Sequence, residues 1–402
     1  MSDRPVAELA VADRRPLRVA MIGQYGVPAA YGGVERVVEE LGAKLVERGM
    51  QVTVYCSPID PPAPATYRGM DLVVVRTLEG KFLAKLSQAF FATMRARRGD
   101  FDIVHFHAMG PCLFAPIIRW TSRSVAVSTI HSRDDKFAKW AGPARPLFKV
   151  AAWCAAKIPA RVMVVSERLR ADIAADFGIE AVVVPNGMAG VGQAGGVDEL
   201  EQFGLEPGRY LLTVGRMVHE KATDDLVEAF GAVGGTHRLA IVGESAHTGD
   251  FAERVHEMAA ADDRVVMCGP QFGPTLDALY RHAGGFVLPS RLEGMPVALL
   301  EAISYRLPVV VSDIPACVEV VGNDAPGQRV FPVGSIETLT KELTRLIDEN
   351  ETERLGAQAL APAIEARFSW DRAADLTRDV YADAIAGVDG ATPRNRRSRT
   401  IT

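Results

Sequence analysis

The stretch LRVAMIG (residues 17–23), QYGVPAAYGG (24–33) and VERVVEELGAKLVERG (34–49) decides the architecture. Its first piece is apolar on both faces, as a strand covered by helices on either side must be. Its last piece repeats apolar residues at helical spacing. The glycines between them let backbone N–H groups approach an anion at the positive end of the helix. A dinucleotide-cofactor turn would need G-x-G-x-x-G and an acid at the end of the second strand. Here the glycines fall at 23, 26, 32 and 33, and the second run ends Val54-Tyr55-Cys56, so NAD binding is not expected.

The same unit recurs along the chain. Apolar runs follow at residues 51–56, 71–77, 102–107, 125–131, 161–166 and 181–187, then at 210–215, 238–243, 264–269, 284–290 and 308–313. Strand–helix alternation of this kind gives doubly wound α/β sheets. The series breaks at MAGVGQAGGVDE (188–199), a glycine-rich stretch suited to a linker. The expected fold is therefore two Rossmann-like domains, residues 16–190 and 200–368, facing across a cleft. A final helix at 369–386 and unstructured tails at 1–15 and 390–402 complete the expectation.

At 402 residues, 48% hydrophobic and 24% charged, the chain is long enough for two cores and too apolar for wholesale disorder. With a net charge of −5, nucleic acid is not the expected partner of the whole chain. The halves differ, however: residues 1–195 carry 25 basic and 18 acidic residues, and 196–402 carry 20 and 32, so the first half is suited to something anionic. Five scattered cysteines without a CxxC fit free thiols. The N-terminus lacks a secretory apolar stretch, and no window of ~18 apolar residues would span a bilayer. The expected place is the cytoplasm, at most peripheral on the inner face of the cell membrane.

Chemistry concentrates at three strand ends. VGRMVHEKATDDLVEAF (214–230) puts Arg216 and Lys221 between a strand and a helix. Arg binds a diphosphate through its planar fork and Lys as a point charge. Each contributes on the order of 4 kcal/mol at about 4 Å and an effective dielectric of 20. Two cations can thus stabilise a diphosphate leaving group without a metal, although surface charge is the plain alternative. SRLEGMPVALLEA (290–302) places Ser290, Gly294 and the amides near Met295 at a positive helix end, with Glu293 just ahead of it. Glu301 lies about 7 Å deeper than Pro296 at the usual helical rise. A glycosidase acid/base pair needs carboxyls on opposite sides of the bond, and these share one side. Asp100-Phe101-Asp102 is a D-x-D that opens a strand and reads as a turn. His105 and His107 alternate on that strand but lack further ligands at zinc spacing.

These segments resemble a known family. EGMPVALLE is similar to the E-x7-E signature of retaining family 4 glycosyltransferases with the GT-B fold. GRMVHEK looks like their G-R-x-x-x-x-K diphosphate clamp, and VVVPNGM resembles their I-P-N-G-V strand end. GVPAAYGGVE is similar to the G-I-P-A-x-Y-G-G-x-E opening of a bacterial branch containing rhamnosyltransferases. The likeness covers about residues 17–385, and its last part, FSWDRAADLTRDVYADA (368–384), resembles a helix that crosses back to the first domain. The resemblance implies that Arg216 and Lys221 bind the donor diphosphate and that Glu301 binds the ribose. It further implies that Glu293, Gly294 and Met295 meet the sugar hydroxyls, that Gly32 and Gly33 face the diphosphate, and that His131 stands near the transferred sugar. Two positions depart from the pattern. HSRDDKFAKW (131–140) keeps only His131, Asp134, Lys139 and Trp140 of H-G-L-D-W-x-R-x-K-W, and Arg306 replaces a small glycine.

Residues 81–98 hold five basic residues and no acid, with Phe82, Leu86, Phe90 and Phe91 roughly on one face. Residues 136–166 add six cations and no acid, interleaved with Phe137, Trp140, Phe148 and Trp153. Such stretches suit an anionic membrane interface, or simply a helix packed on its core. The resulting expectation is metal-independent transfer of a hexose or deoxyhexose from a nucleotide diphosphate sugar to a lipid-linked saccharide acceptor, without a cofactor. A sugar-nucleotide epimerase on the same fold and a non-catalytic partner in a polysaccharide assembly complex are the alternatives.

Overall fold

The computed structural model describes residues 15–29, 32–58, 62–133, 135, 145–188, 190–192, 195–243 and 250–389. The expected tails at 1–14 and 390–402 lie outside the described residues. Arg15, assigned to a tail, is instead held: its guanidinium donates to both oxygens of Asp102 at 3.1 and 2.8 Å.

The first domain is an eight-stranded sheet of β1 (Arg18–Ile22), β2 (Gln51–Cys56), β3 (Thr66–Tyr67), β4 (Met70–Val74), β5 (Ile103–His107), β6 (Val125–Ile130), β7 (Arg161–Val164) and β8 (Val182–Val183), in the order β3-β4-β2-β1-β5-β6-β7-β8. Every neighbouring pair is parallel except β3–β4. Its helices are α1 (Gly33–Glu47), α2 (Lys81–Arg98), α3 (Ala115–Thr121), α4 (Arg145–Lys157) and α5 (Glu167–Phe177). Helices α2, α3 and α4 cover one face of the sheet, where Val104, Phe106 and Ile130 are fully buried.

A short α6 (Asp198–Glu201) leads to the second domain: β9 (Tyr210–Val214), α7 (Thr223–Gly231), β10 (Arg238–Val242), α8 (Asp250–Ala260), β11 (Val265–Gly269), α9 (Gly273–Arg281), β12 (Gly285–Leu288), α10 (Val297–Ser304), β13 (Val309–Ser312), α11 (Pro315–Val321), β14 (Gln328–Phe331), α12 (Ile336–Asp348) and α13 (Asn350–Arg367). Its six parallel strands run in the order β11-β10-β9-β12-β13-β14. In both sheets the order reverses beside the first strand, between β1 and β5 and between β9 and β12. Ligand crevices open beyond the carboxyl ends of strands at such switch points.

Helix α14 (Trp370–Asp389) returns to pack on α1 of the first domain and ends three residues past the expected boundary. The chain thus crosses between domains twice, and the crossings touch: Met188 N–H donates to Phe368 C=O at 2.8 Å, and Met188 bridges Ser369. The described part of the linker is docked on α9. Arg281 donates to the Gly192 carbonyl, and a Cβ on Gly192 would overlap the Asp277 carboxylate. Gly192 and Gly195 thus serve close packing, whereas Gly190 and Gly196 face open space.

Candidate active site

Each loop at the two switch points is held by its own sequence. Between β1 and α1, two buried acids of α1 fix the turn: Glu35 accepts from Tyr25 N–H at 3.1 Å and Glu39 from Ala29 N–H at 2.6 Å. Gly32 is extended and Gly33 starts the helix. A Cβ on Gly33 would sit 3.7 Å from Val297 Cγ2, so this turn faces the start of α10 in the other domain.

After β9 the chain makes a 3₁₀ turn at His219–Lys221 and then a left-handed Ala222 with φ 51°. That reversal folds Lys221 back beside Gly215 and brings its Nζ 2.5 Å from Glu293 Oε1. Ser290 Oγ donates to the same carboxylate oxygen at 2.8 Å, and Ser312 Oγ fixes the Ser290 carbonyl at 2.5 Å. The Lys221 and Glu293 side chains are 22% and 11% exposed, so the pair is shielded yet reachable from the cleft. Arg216 is on the same loop but exposed, and no ion pair joins it among the described residues. The structure therefore brings together Lys221, Ser290 and Glu293, and leaves Arg216 apart from them.

Pro296 caps α10, which begins at Val297. Met295 buries its side chain in the core, so only its backbone can meet a ligand. Gly294 lies directly on the first domain: a Cβ there would overlap the His131 carbonyl oxygen. One turn into α10, Glu301 accepts from Tyr280 Oη at 3.1 Å and faces Arg36 Nε at 3.6 Å. Burial raises the Glu301 carboxyl above its ordinary value, while Arg36 and the Tyr280 hydroxyl oppose that rise. Arg36, on α1, also faces Glu39 at 3.4 Å and Glu40 at 3.3 Å. Sequence reasoning missed Arg36, since its partner Glu301 belongs to the other domain.

His131 follows β6 and is 9% exposed. Its Nε2 lies 3.2 Å from His107 Nδ1, and the two rings, 17° from parallel with centroids 5.5 Å apart, meet edge to edge. His105 sits 4.0 Å from the His107 ring and bridges Tyr381 Oη at 2.8 Å and Thr129 Oγ1 at 2.7 Å. Burial lowers His131 to about 4 and His105 to about 3, and it holds His107 well below the usual histidine range. All three rings are uncharged at neutral pH. Asp134, Lys139 and Trp140 lie outside the described residues. Of the altered loop, Arg133 is buried and pairs with Asp135 at 2.7 Å and Asp176 at 2.6 Å.

Other candidates fall elsewhere. Asp100 and Asp102 sit at the opposite, amino end of β5, paired with Arg18 at 2.8 Å and Arg15 at 2.8 Å. A surface groove of about 590 Å³ between α7 and α8 includes Gly231 and Asp262, again at the strands' amino ends.

Two family models match the chain: Glycosyltransferase Family 4 over residues 31–189 and Glycosyl transferases group 1 over residues 208–349. The chain is 28% identical to the MMP alpha-(1->4)-mannosyltransferase of Mycolicibacterium hassiacum, over 73% of this chain and 74% of that protein. It is 21% identical to an uncharacterized glycosyltransferase of Methanocaldococcus jannaschii, over 92% and 99%. The structure of Anabaena HepE in complex with UDP and glucose superposes with a TM-score of 0.73 at 16% identity, covering 91% of this chain and all of that one, and shares its fold.

Proposed function

We propose, from a family 4 glycosyltransferase model on the first domain and a group 1 model on the second, that the chain is a GT-B glycosyltransferase that moves a hexose or deoxyhexose from a nucleotide diphosphate sugar to a saccharide acceptor with retention of configuration. One observation carries this reading: Lys221 and Glu293 meet at 2.5 Å beside the β9/β12 switch point, facing a cleft whose far wall holds Gly33 and His131. Lys221 stabilises the departing diphosphate and Arg216 swings to it from the surface, without a metal ion. Glu293 and the Gly294 and Met295 amides hold sugar hydroxyls, and Glu301 holds the ribose. Charge stabilisation and positioning supply the catalysis. On this reading the departing phosphate oxygen takes the acceptor's proton on the same face.

The acceptor is lipid-linked on this reading, and the enzyme works at the inner face of the cell membrane. No described helix is long and apolar enough to cross a bilayer. Support for surface binding comes from α4, whose Leu147, Val150 and Trp153 form an exposed stripe 36%, 50% and 51% accessible. Arg145, Lys149 and Lys157 are exposed on the same helix, and α4 carries no acid. Neighbouring α3 adds Trp120, 69% exposed, beside Arg119. Such a face suits anionic headgroups. Lys136, Phe137, Lys139, Trp140 and the side chains of Lys81 and Phe82 lie outside the described residues.

A thermal-shift panel with UDP, GDP, ADP and dTDP tests the donor reading. A nucleotide at 100 times its dissociation constant stabilises by about 2.7 kcal/mol, and a flat panel would overturn it. Phosphatidylglycerol vesicles should bind the protein less as salt rises and fail to bind Trp153→Glu. Equal binding to phosphatidylcholine, or none to either, removes the membrane part.

A further inference from the structure

The three buried histidines between α14 and the cleft carry information that the donor site does not use. An uncharged imidazole has one N–H and one bare nitrogen, and hydrogen-bond partners decide which is which. At His105 both nitrogens face hydroxyls, which can donate or accept, so that ring sets no constraint. His107 is different. Its Nε2 is buried with no partner among the described residues, while its Nδ1 faces His131 Nε2 at 3.2 Å. Buried N–H groups left without an acceptor are rarer than buried acceptors left without a donor. The His107 proton therefore belongs on Nδ1, and the 3.2 Å contact is a donation to His131. His131 Nε2 then accepts, and the His131 proton belongs on Nδ1.

We infer that His107 is a positioning residue whose Nδ1–H locks His131 as the Nδ1–H tautomer, so that the ring edge not facing His107 offers a donor and not a base. The inference rests on the proposed site and deepens it. His131 would donate to a hydroxyl of the transferred sugar, and it would be unable to take the acceptor's proton. That proton is left to the departing phosphate oxygen. The His131 main chain is fixed as well, because its carbonyl lies against Gly294 across the cleft. Ring and backbone are thus held from opposite sides.

The test is ¹⁵N NMR of protein labelled at histidine, with the His131 signals assigned by their loss in His131→Gln. The wild type should show His131 as the Nδ1–H form, and His107→Leu should show a mixture. An Nε2–H form in the wild type overturns the inference, even if His107→Leu does not fold. In kinetics, His107→Leu should lower kcat roughly tenfold or more with the donor KM within about twofold. His107→Asn, whose amide N–H occupies nearly the same place as Nδ1–H, should recover most of the loss. Equal losses in the two variants also overturn it. Wild-type kcat in His131→Ala would instead sink the site reading and leave the tautomer result standing.

Discussion

At Arg306 the chain leaves α10 with φ 60°, in the left-handed region where the resembled family has glycine. Backbone bonds close the turn around it, Arg306 N–H to Ile303 C=O at 2.9 Å and Leu307 N–H to Ala302 C=O at 3.2 Å, so the conformation is set by the helix end. A side chain there costs about 1–2 kcal/mol, and its exposed pair with Glu365 returns less than about 1 kcal/mol. Arg306→Gly should therefore raise stability by about 0.5–1 kcal/mol, seen as a higher urea midpoint at unchanged slope. In the cleft, Lys221→Ala and Glu293→Ala should each lower turnover by about 100-fold or more. Circular dichroism should show both folded, and near-wild-type rates in both would remove the site assignment. Lys221, Glu293 and His131 were legible because each sits just past an apolar run, where α/β sheets place ligands. Arg36 was not, since nothing in a helical pattern tells which residue will meet an acid 265 positions away across a cleft.

Among the elements, the twelve long apolar runs all contain strands, because a strand buried on both faces has to be apolar throughout. The two extra strands lacked that signal. β3 is two residues long, and β14 carries Arg329, buried against Glu353 of α13 at 2.5 Å. A charge that finds its partner far along the chain reads as surface until the fold is known. The basic helices show the same limit. Leu86 and Phe91 of α2 are partly buried and Phe91 packs on the core, whereas α4 turns its alanines inward and its Trp153 outward. The start of α10 makes a sharper prediction. Gly294→Ala should lower kcat by about 100-fold, since misplacement by about 1 Å is enough to do so. The added methyl must push the loop ahead of α10 away from His131. Activity within about twofold of wild type would mean that the loop yields freely.

Across the molecule, the histidine cluster ties stability to pH. The unfolded rings titrate near 6.5, while in the fold His131 is lowered to about 4 and His105 to about 3. The unfolded chain thus binds more protons below pH ~6.5, so this contribution is complete above that pH and is lost as pH falls toward the folded values. At constant ionic strength the melting temperature should drop between pH 7 and pH 5, and unfolding at pH 5 should take up protons. A flat profile would mean that the rings titrate in the fold as they do in the unfolded chain. The two covalent connections between the lobes run along one seam, where the chain's outward pass at Met188 lies hydrogen-bonded to its return at Phe368. Both covalent threads between the halves therefore run along a single spine, like the binding between the covers of a book. A cut through one thread would still leave the covers bound by the other.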